Sequence, residues 1–292
     1  MERRISGHTG LMALFGSPVG HSGSPAMYNY SFQLLGLDYA YVAIDMKAEQ
    51  MKEALQAMKL FQMKGGNVTM PCKTEAARCM DELSPAAKIT GAVNTIVNEN
   101  GTLVGFNTDG AGFVENLRDH GVDIRGKRLV VAGCGGAGTA IQVQCALDGA
   151  QSLHICNRRQ GVSFERALET VEKIREAVPD CETAVFDLED EERMAREIGE
   201  CDVFVNATSI GMAPGEKESV VKDPNVFRPG LVVADIVYNP LETRLLREAK
   251  KAGCTCVGGK GMLLWQGGAG PRPFSGRVGP GERGKRGRFF KK

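Results

Sequence analysis

Leu129-Val130-Val131-Ala132-Gly133-Cys134-Gly135-Gly136-Ala137-Gly138-Thr139-Ala140-Ile141 is the stretch that decides the fold. A short apolar run, of the kind that makes a buried strand, passes directly into G-x-G-x-x-G spacing and then into helix formers. Such glycines permit a tight turn and a close backbone approach to a diphosphate, whose charge then meets free N–H groups at the helix start. A glycine-rich turn alone is a weak signal. Its place between strand and helix makes Gly133, Cys134, Gly135, Gly136 and Ala137 candidates for a dinucleotide-binding loop.

The next strand, Leu153-His154-Ile155-Cys156, leads into Asn157-Arg158-Arg159-Gln160, where the adenosine ribose would be read. An acid there favours NAD, and arginine pairs the 2′-phosphate of NADP. Two guanidiniums without an acid favour NADP(H), with NAD(H) as the second cofactor. Two further buried strands, Asp202–Asn206 and Leu231–Asp235, follow, and Leu241, Leu245, Ala249 and Ala252 are spaced for one helix face closed by Gly253.

Upstream, apolar runs at Leu11–Phe15 and Tyr39–Ile44 flank a helix over Pro25–Gly36, with Ser24 as its cap and Gly36 past its end. Met51, Ala54, Leu55 and Met58 share a second helix face. A strand over Lys64–Thr69 and a helix over Cys72–Met80 come next. Strands at Ala92–Asn98 and Thr102–Phe106 meet at the hairpin signal Asn100-Gly101. The alternation predicts an α/β protein of two domains: an α/β substrate domain at 1–108 and a Rossmann-type doubly wound dinucleotide domain at 109–258. Residues 259–267 are expected to return toward the first domain.

Composition narrows the function. The chain has 292 residues, 42% hydrophobic and 24% charged, and no apolar run of membrane-spanning length. Its start has no apolar signal core, and nine scattered cysteines fit a reducing, cytoplasmic setting better than a disulfide framework or metal site. The net charge of +1 divides unevenly: residues 267–292 hold eight Lys/Arg, one acid and three prolines, so the remaining 266 residues sum to −6. Nucleic-acid binding would have to act through this basic tail, and the acidic body opposes it. The tail is too poor in apolar residues to order itself.

Four polar segments remain: His21-Ser22-Gly23-Ser24-Pro25, Asn67-Val68-Thr69-Met70-Pro71-Cys72-Lys73, Gly91-Ala92-Val93-Asn94-Thr95 and Asn107-Thr108-Asp109-Gly110. Each alone reads as turn chemistry. Together they offer one lysine, one aspartate and several neutral hydrogen-bonding groups, which suits a small polyhydroxylated ligand. In this order they resemble the H-S-x-S-P, N-V-T-x-P-x-K, G-A-x-N-T and N-T-D-G motifs of the shikimate dehydrogenase family. Asn206-Ala207-Thr208-Ser209, Val237-Tyr238-Asn239-Pro240 and Gly259–Gly267 continue the likeness, which covers about residues 11–267 and is closest to the quinate/shikimate branch.

The resemblance implies reversible reduction of 3-dehydroshikimate to shikimate, or 3-dehydroquinate to quinate, with NAD(P)H, in aromatic amino acid biosynthesis. It makes Lys73 and Asp109 the catalytic pair and gives the substrate carboxylate to Ser22 and Ser24. Ring hydroxyls fall to Thr69, Asn94, Thr108 and Gln266, with Tyr41 and Tyr238 nearby. It sets Cys134 to Ala137 at the pyrophosphate, Asn157, Arg158 and Arg159 at the adenosine ribose, and Ser209, Ile236 and Gly259 at the nicotinamide. It implies no metal and is compatible with a homodimer. A carboxylate beside a lysine favours the ammonium form, which suits Lys73 to donate a proton as hydride arrives.

Two departures stand out. Gln160 replaces the aspartate that follows Asn-Arg-Arg in the quinate/shikimate branch, which weakens the NAD reading. After Gly267 the family's packed helix gives way to the Gly/Pro-rich tail at 268–292, as a shifted reading frame would produce. An impaired family member is the alternative this leaves.

Overall fold

Leu11 to Phe15 form the centre of β1 (Gly10–Gly16) in the computed structural model, which describes residues 5–160 and 162–269. β1 lies between β2 (Tyr39–Asp45) and β3 (Gly65–Val68) and runs parallel to both. The Asn100-Gly101 turn, both residues at positive φ, closes an antiparallel hairpin of β5 (Thr95–Glu99) and β6 (Thr102–Phe106). β5 is antiparallel to β3 as well, so this sheet is mixed rather than wholly parallel. With β4 (Glu82–Leu83) on β6, its order is β2-β1-β3-β5-β6-β4. Helices α1 (Ser24–Leu35), α2 (Met51–Leu60), α3 (Lys73–Arg78) and α4 (Pro85–Thr90) complete the unit. Met51, Leu55 and Met58 of α2 are buried with Phe15, Val68 and Ile96 in one core.

Ser24 is the first residue of α1 and not its cap; Gly23 holds the cap position without a side-chain bond. The cause is local: the Ser24 N–H donates to Oγ of Ser22 at 3.2 Å, which draws the helix start one residue forward. Gly36 ends the helix at φ 69°, as its position in the sequence predicts.

The second sheet contains β7 (Arg128–Ala132), β8 (Ser152–Asn157), β9 (Glu182–Asp187), β10 (Val203–Asn206), β11 (Val232–Asp235) and β12 (Thr255–Val257). Its order is β12-β11-β10-β7-β8-β9, and every pairing is parallel. Read from β9 this is the 3-2-1-4-5-6 order of a Rossmann sheet, with the direction of winding reversing between β7 and β10. Helices α5 (Asp109–Asp119), α6 (Gly136–Leu147), α7 (Val162–Ala177), α8 (Glu191–Glu200), α9 (Arg244–Lys251) and α10 (Gly259–Ala269) belong to this half of the sequence. Between β10 and β11 the connection has only a 3-10 turn at Pro224–Val226.

Leu241 lies outside α9 and is exposed, contrary to the face predicted for it. Thr243 takes the cap, accepting the Leu246 N–H, so the buried face becomes Leu245, Leu246 and Ala249.

By contact the chain separates into two units, one ending at Phe106 and resuming at Gly267, the other Asn107–Gln266. Of the 259–267 segment expected to return toward the first domain, residues 259–266 group with the second unit, where α10 packs on α5, and Gly267 groups with the first. A Cβ on Gly261 would lie 1.8 Å from Oδ1 of Asn116, and one on Gly112 2.7 Å from the Gln266 nitrogen. The helix runs to Ala269, two residues past Gly267. The rest of the expected tail lies outside the described residues.

One half-buried hydrogen-bonded pair joins β8 to α8. A carboxylate can only accept, so Nδ1 of His154 donates to Oε2 of Glu197 at 2.5 Å, while Arg193 donates to Oε1 at 3.3 Å. Burial works against the charge, but the bonds from His154 and Arg193 outweigh it and hold the Glu197 carboxyl below its ordinary range. Its stabilisation is complete above the unfolded carboxylate value and is lost as pH falls through the lowered folded one. Glu197→Gln should therefore cost about 1–2 kcal/mol at pH 7 and flatten the loss of stability below about pH 4, as urea titrations at a series of pH values would record. An acid limb as steep as the parent's would place the titration elsewhere.

Candidate active site

In the first unit, the loop after β1 is pinned at both sides. The Ser17 N–H donates to the Met70 carbonyl at 2.9 Å, and the Val19 N–H donates to the Asp45 carboxylate at 3.2 Å. Hydrogen bonds from Ser17 and Val19 hold the Asp45 carboxyl below its ordinary value. Gly16, at φ 154°, admits the Thr69 segment, since a Cβ there would meet Thr69 Cγ2 at 2.4 Å. Ser22, Ser24 and Thr69 thus sit half-buried on loops fixed by backbone contacts.

A partly buried polar network joins β2, β3 and β5. The Tyr41 hydroxyl donates to Oδ1 of Asn67 at 2.8 Å, and Nδ2 of Asn67 donates to Oγ1 of Thr95 at 3.2 Å and to the Asn94 carbonyl at 3.3 Å. Thr95 donates onward to Oδ1 of Asn94 at 3.1 Å. Tyr28 stacks on Tyr41 with ring centroids 4.4 Å apart. Burial pushes the Tyr28 phenol up to about 12 against the opposing bond with Asn67, and it pushes Tyr41 up as well, so both stay neutral. Asn67 is the hub, and sequence reading assigned it no role although it opens one of the quoted motifs. Lys73 is half-buried at the first position of α3, its carbonyl accepting the Val93 N–H.

In the second unit, Asp109 is the buried first residue of α5, after Thr108 in the cap position. Its N–H donates to Oδ1 of Asn107 at 3.2 Å, and the Gln266 side-chain amide donates to its carboxylate. Gln266 reaches it because Asn116, a buried residue that sequence reading passed over, donates to the Gly258 carbonyl at 3.0 Å where α10 begins. The structure thereby unites Asp109 and Gln266, two predicted site residues 157 positions apart.

The glycine-rich loop forms as its spacing predicts. Gly133 has φ 100°, and a Cβ on Gly138 would meet the Gly133 carbonyl oxygen at 2.5 Å. Gln142, fully buried, donates to that carbonyl at 2.8 Å. Gly135 and Gly136 are different: a Cβ on either meets nothing within 4 Å. α6 starts there with no side-chain cap, so its N-terminal N–H groups face room that an anionic diphosphate fits. The Cys134 side chain points inward, 3.5 Å from Gln142 and Thr139, which limits this residue to backbone contact with a ligand.

At the end of β8, Nδ2 of Asn157 is buried without a hydrogen-bond partner, a donor whose desolvation nothing in the described protein offsets. Arg158 and Arg159 follow it, both exposed. The loops after β10 and β11 are joined by Nδ2 of Asn206 donating to Oδ1 of Asp235 at 3.0 Å. Ile236 and Gly259 meet, because a Cβ on Gly259 would fall 2.2 Å from the Ile236 carbonyl oxygen. Ser209 and Tyr238 are exposed. Lys73 belongs to the first unit and Asp109 to the second. Among the described residues no group of three or more His, Cys, Asp or Glu could hold a metal ion.

Residues 14–96 match the family described as the shikimate dehydrogenase substrate binding domain. The chain is 45% identical over 267 residues to a shikimate dehydrogenase (NADP(+)) of Listeria monocytogenes serotype 4b, covering 91% of each. It is 42% identical over 257 residues to a quinate/shikimate dehydrogenase of Escherichia coli, covering 88% of each. The crystal structure of shikimate 5-dehydrogenase from Listeria monocytogenes, in complex with shikimate and NAD, superposes with a TM-score of 0.92 at 43% identity and 96% coverage of both chains.

Asn67→Ala removes the acceptor for Tyr41 and the donor to Thr95 inside the first unit. It should cost about 2–3 kcal/mol, the penalty for breaking a buried polar network, against about 1 kcal/mol for Tyr41→Phe. Denaturant titration of the two variants checks the order, and equal costs would remove Asn67 from its place as hub.

Proposed function

The chain belongs to the shikimate dehydrogenase family, and from that premise we propose that it reversibly reduces 3-dehydroshikimate to shikimate, and 3-dehydroquinate to quinate, with NADP(H) preferred over NAD(H). The observation that carries this reading is the open ground above Gly135 and Gly136 at an uncapped helix N-terminus, beside the orphaned donor of Asn157. The relatives' names point the same way: one is an NADP(+) enzyme, and one structure holds NAD with shikimate.

In the roles we assign, the N–H groups of the Gly135–Ala137 loop bind the diphosphate, Asn157, Arg158 and Arg159 bind the adenosine ribose, and Ser209, Ile236 and Gly259 line the nicotinamide. The cofactor supplies and accepts the hydride. Lys73 donates a proton to the ketone oxygen as the alcohol forms and takes it back in the reverse direction, with Asp109 as its catalytic partner. Ser22 and Ser24 hold the substrate carboxylate through their hydroxyls. Thr69, Asn94, Thr108, Gln266 and Tyr238 bind ring hydroxyls, and Tyr41 acts from below through Asn67. Gln266 also orients the Asp109 carboxylate.

A cytoplasmic setting fits nine cysteines that are all free thiols. A homodimer fits the edge strand β2, where Val42 and Ile44 are exposed.

Nicotinamide absorbance with each substrate and each cofactor tests the activity directly. Lys73→Ala should lower kcat/KM about 10²–10⁴-fold while NADP+ binding, measured by titration calorimetry, stays at the parent value. Near-normal turnover would remove Lys73 from the mechanism. Gly136→Ala separates ligand from fold. Its methyl enters open space, so Tm should hold, whereas NADP+ affinity should fall at least tenfold, about 1.4 kcal/mol. Unchanged affinity would mean that no diphosphate lies there.

A further inference from the structure

Arg158 and Arg159 stand in different surroundings. The Arg158 side chain has no ion-pair or ring partner among the described residues, but Arg159 is tied to Asp187 at the end of β9. The Arg159 N–H donates to Oδ1 of Asp187 at 3.3 Å, and its Nε lies 3.8 Å from Oδ2. Its guanidinium also approaches the Phe164 ring, at 5.7 Å from the centroid. Strand register makes this neighbourhood obligatory, because Asn157 at the end of β8 pairs with Asp187 across the parallel ladder. A carboxylate is thus built in beside the two arginines and the orphaned Asn157 donor, although the sequence after Asn157 has no acid.

We infer that Asp187 sets the discrimination between the 2′-phosphorylated and the unphosphorylated dinucleotide by competing for Arg159. The inference rests on the reading of this unit as the cofactor site. A 2′-phosphate has to draw the Arg159 guanidinium away from the carboxylate that holds it. A ribose with a free 2′-hydroxyl does not meet this cost. Asp187 therefore lowers the advantage of NADP without touching the diphosphate contacts, and it lets the site accept both cofactors despite Gln160.

Asp187→Asn is the test, because its amide oxygen still accepts the Arg159 and Glu189 N–H groups and keeps the turn. Calorimetric titration of the full chain with NADP+ and NAD+ should show NADP+ binding about fivefold tighter, the upper worth of an exposed ion pair, with NAD+ within twofold of the parent. In an Arg159→Ala background the same substitution should leave NADP+ affinity unchanged to within about twofold, since additivity fails only for groups that interact. Should the Asn variant fold poorly, Asp187→Ser retains a hydroxyl acceptor and carries the same expectation. Equal changes for the two cofactors would overturn the inference and make Asp187 a support of the loop. So would a gain that survives the loss of Arg159. A parent protein that binds neither dinucleotide would instead overturn the cofactor reading beneath it.

Discussion

The carbonyl oxygen of Gly133 is the point on which the second unit turns. It directly follows the central strand β7, receives the amide of Gln142 from inside α6, and lies so near Gly138 that no other residue fits there. The Gly133 N–H is committed to Cys156 on β8. With both backbone groups engaged, the chain has one way out of the sheet, and α6 has to begin at Gly136. The glycines between are then unneeded by the fold, and the room above Gly135 and Gly136 is what the arrangement leaves for a ligand.

The reversal of winding between β7 and β10 places a second set of constraints beside the first. Asp235 ends β11 as a buried carboxylate accepting from Asn206, from the Val237 N–H and from Thr243. Burial raises its pKa against those three bonds. Thr243 caps α9 with the same hydroxyl, and Asn206 also fixes Thr208 at the start of the next loop. One carboxylate thereby sets the exit of two strands and the start of one helix. The loops carrying Ser209 and Ile236 inherit their positions from it.

What the sequence made legible follows from the range of each interaction. The glycine-rich loop, the Asn100-Gly101 hairpin and the Gly36 helix end depend on backbone angles of residues a few positions apart, and a linear reading finds them. Ser24 and Leu241 were misplaced because the start of a helix is a competition, settled here by the Ser22 hydroxyl that accepts the Ser24 N–H and by the Thr243 cap. Asn116, Gln142 and Asp187 were invisible for another reason. Each acts on a backbone or side chain that only the tertiary fold brings near, such as Gly258, which lies 142 positions from Asn116. Asn67 was in plain view within a motif, yet its role as hub needed the register of β3 against β5.

The candidate residues separate into two physical kinds. Tyr41, Asn94, Cys134 and Asp109 are buried and hydrogen-bonded to neighbours in their own unit. An unpaired polar group at such positions would cost more than its bond returns, so these residues hold geometry before they hold ligand. Ser209, Tyr238, Arg158 and Arg159 are exposed, with rotamers that a ligand can select. Asn157 belongs to neither kind, being buried like the first and unsatisfied like the second. Among the described residues, buried side-chain atoms without a partner also occur at His154, Ser219 and Glu248, but of these residues only Asn157 is one that the sequence assigned to a site.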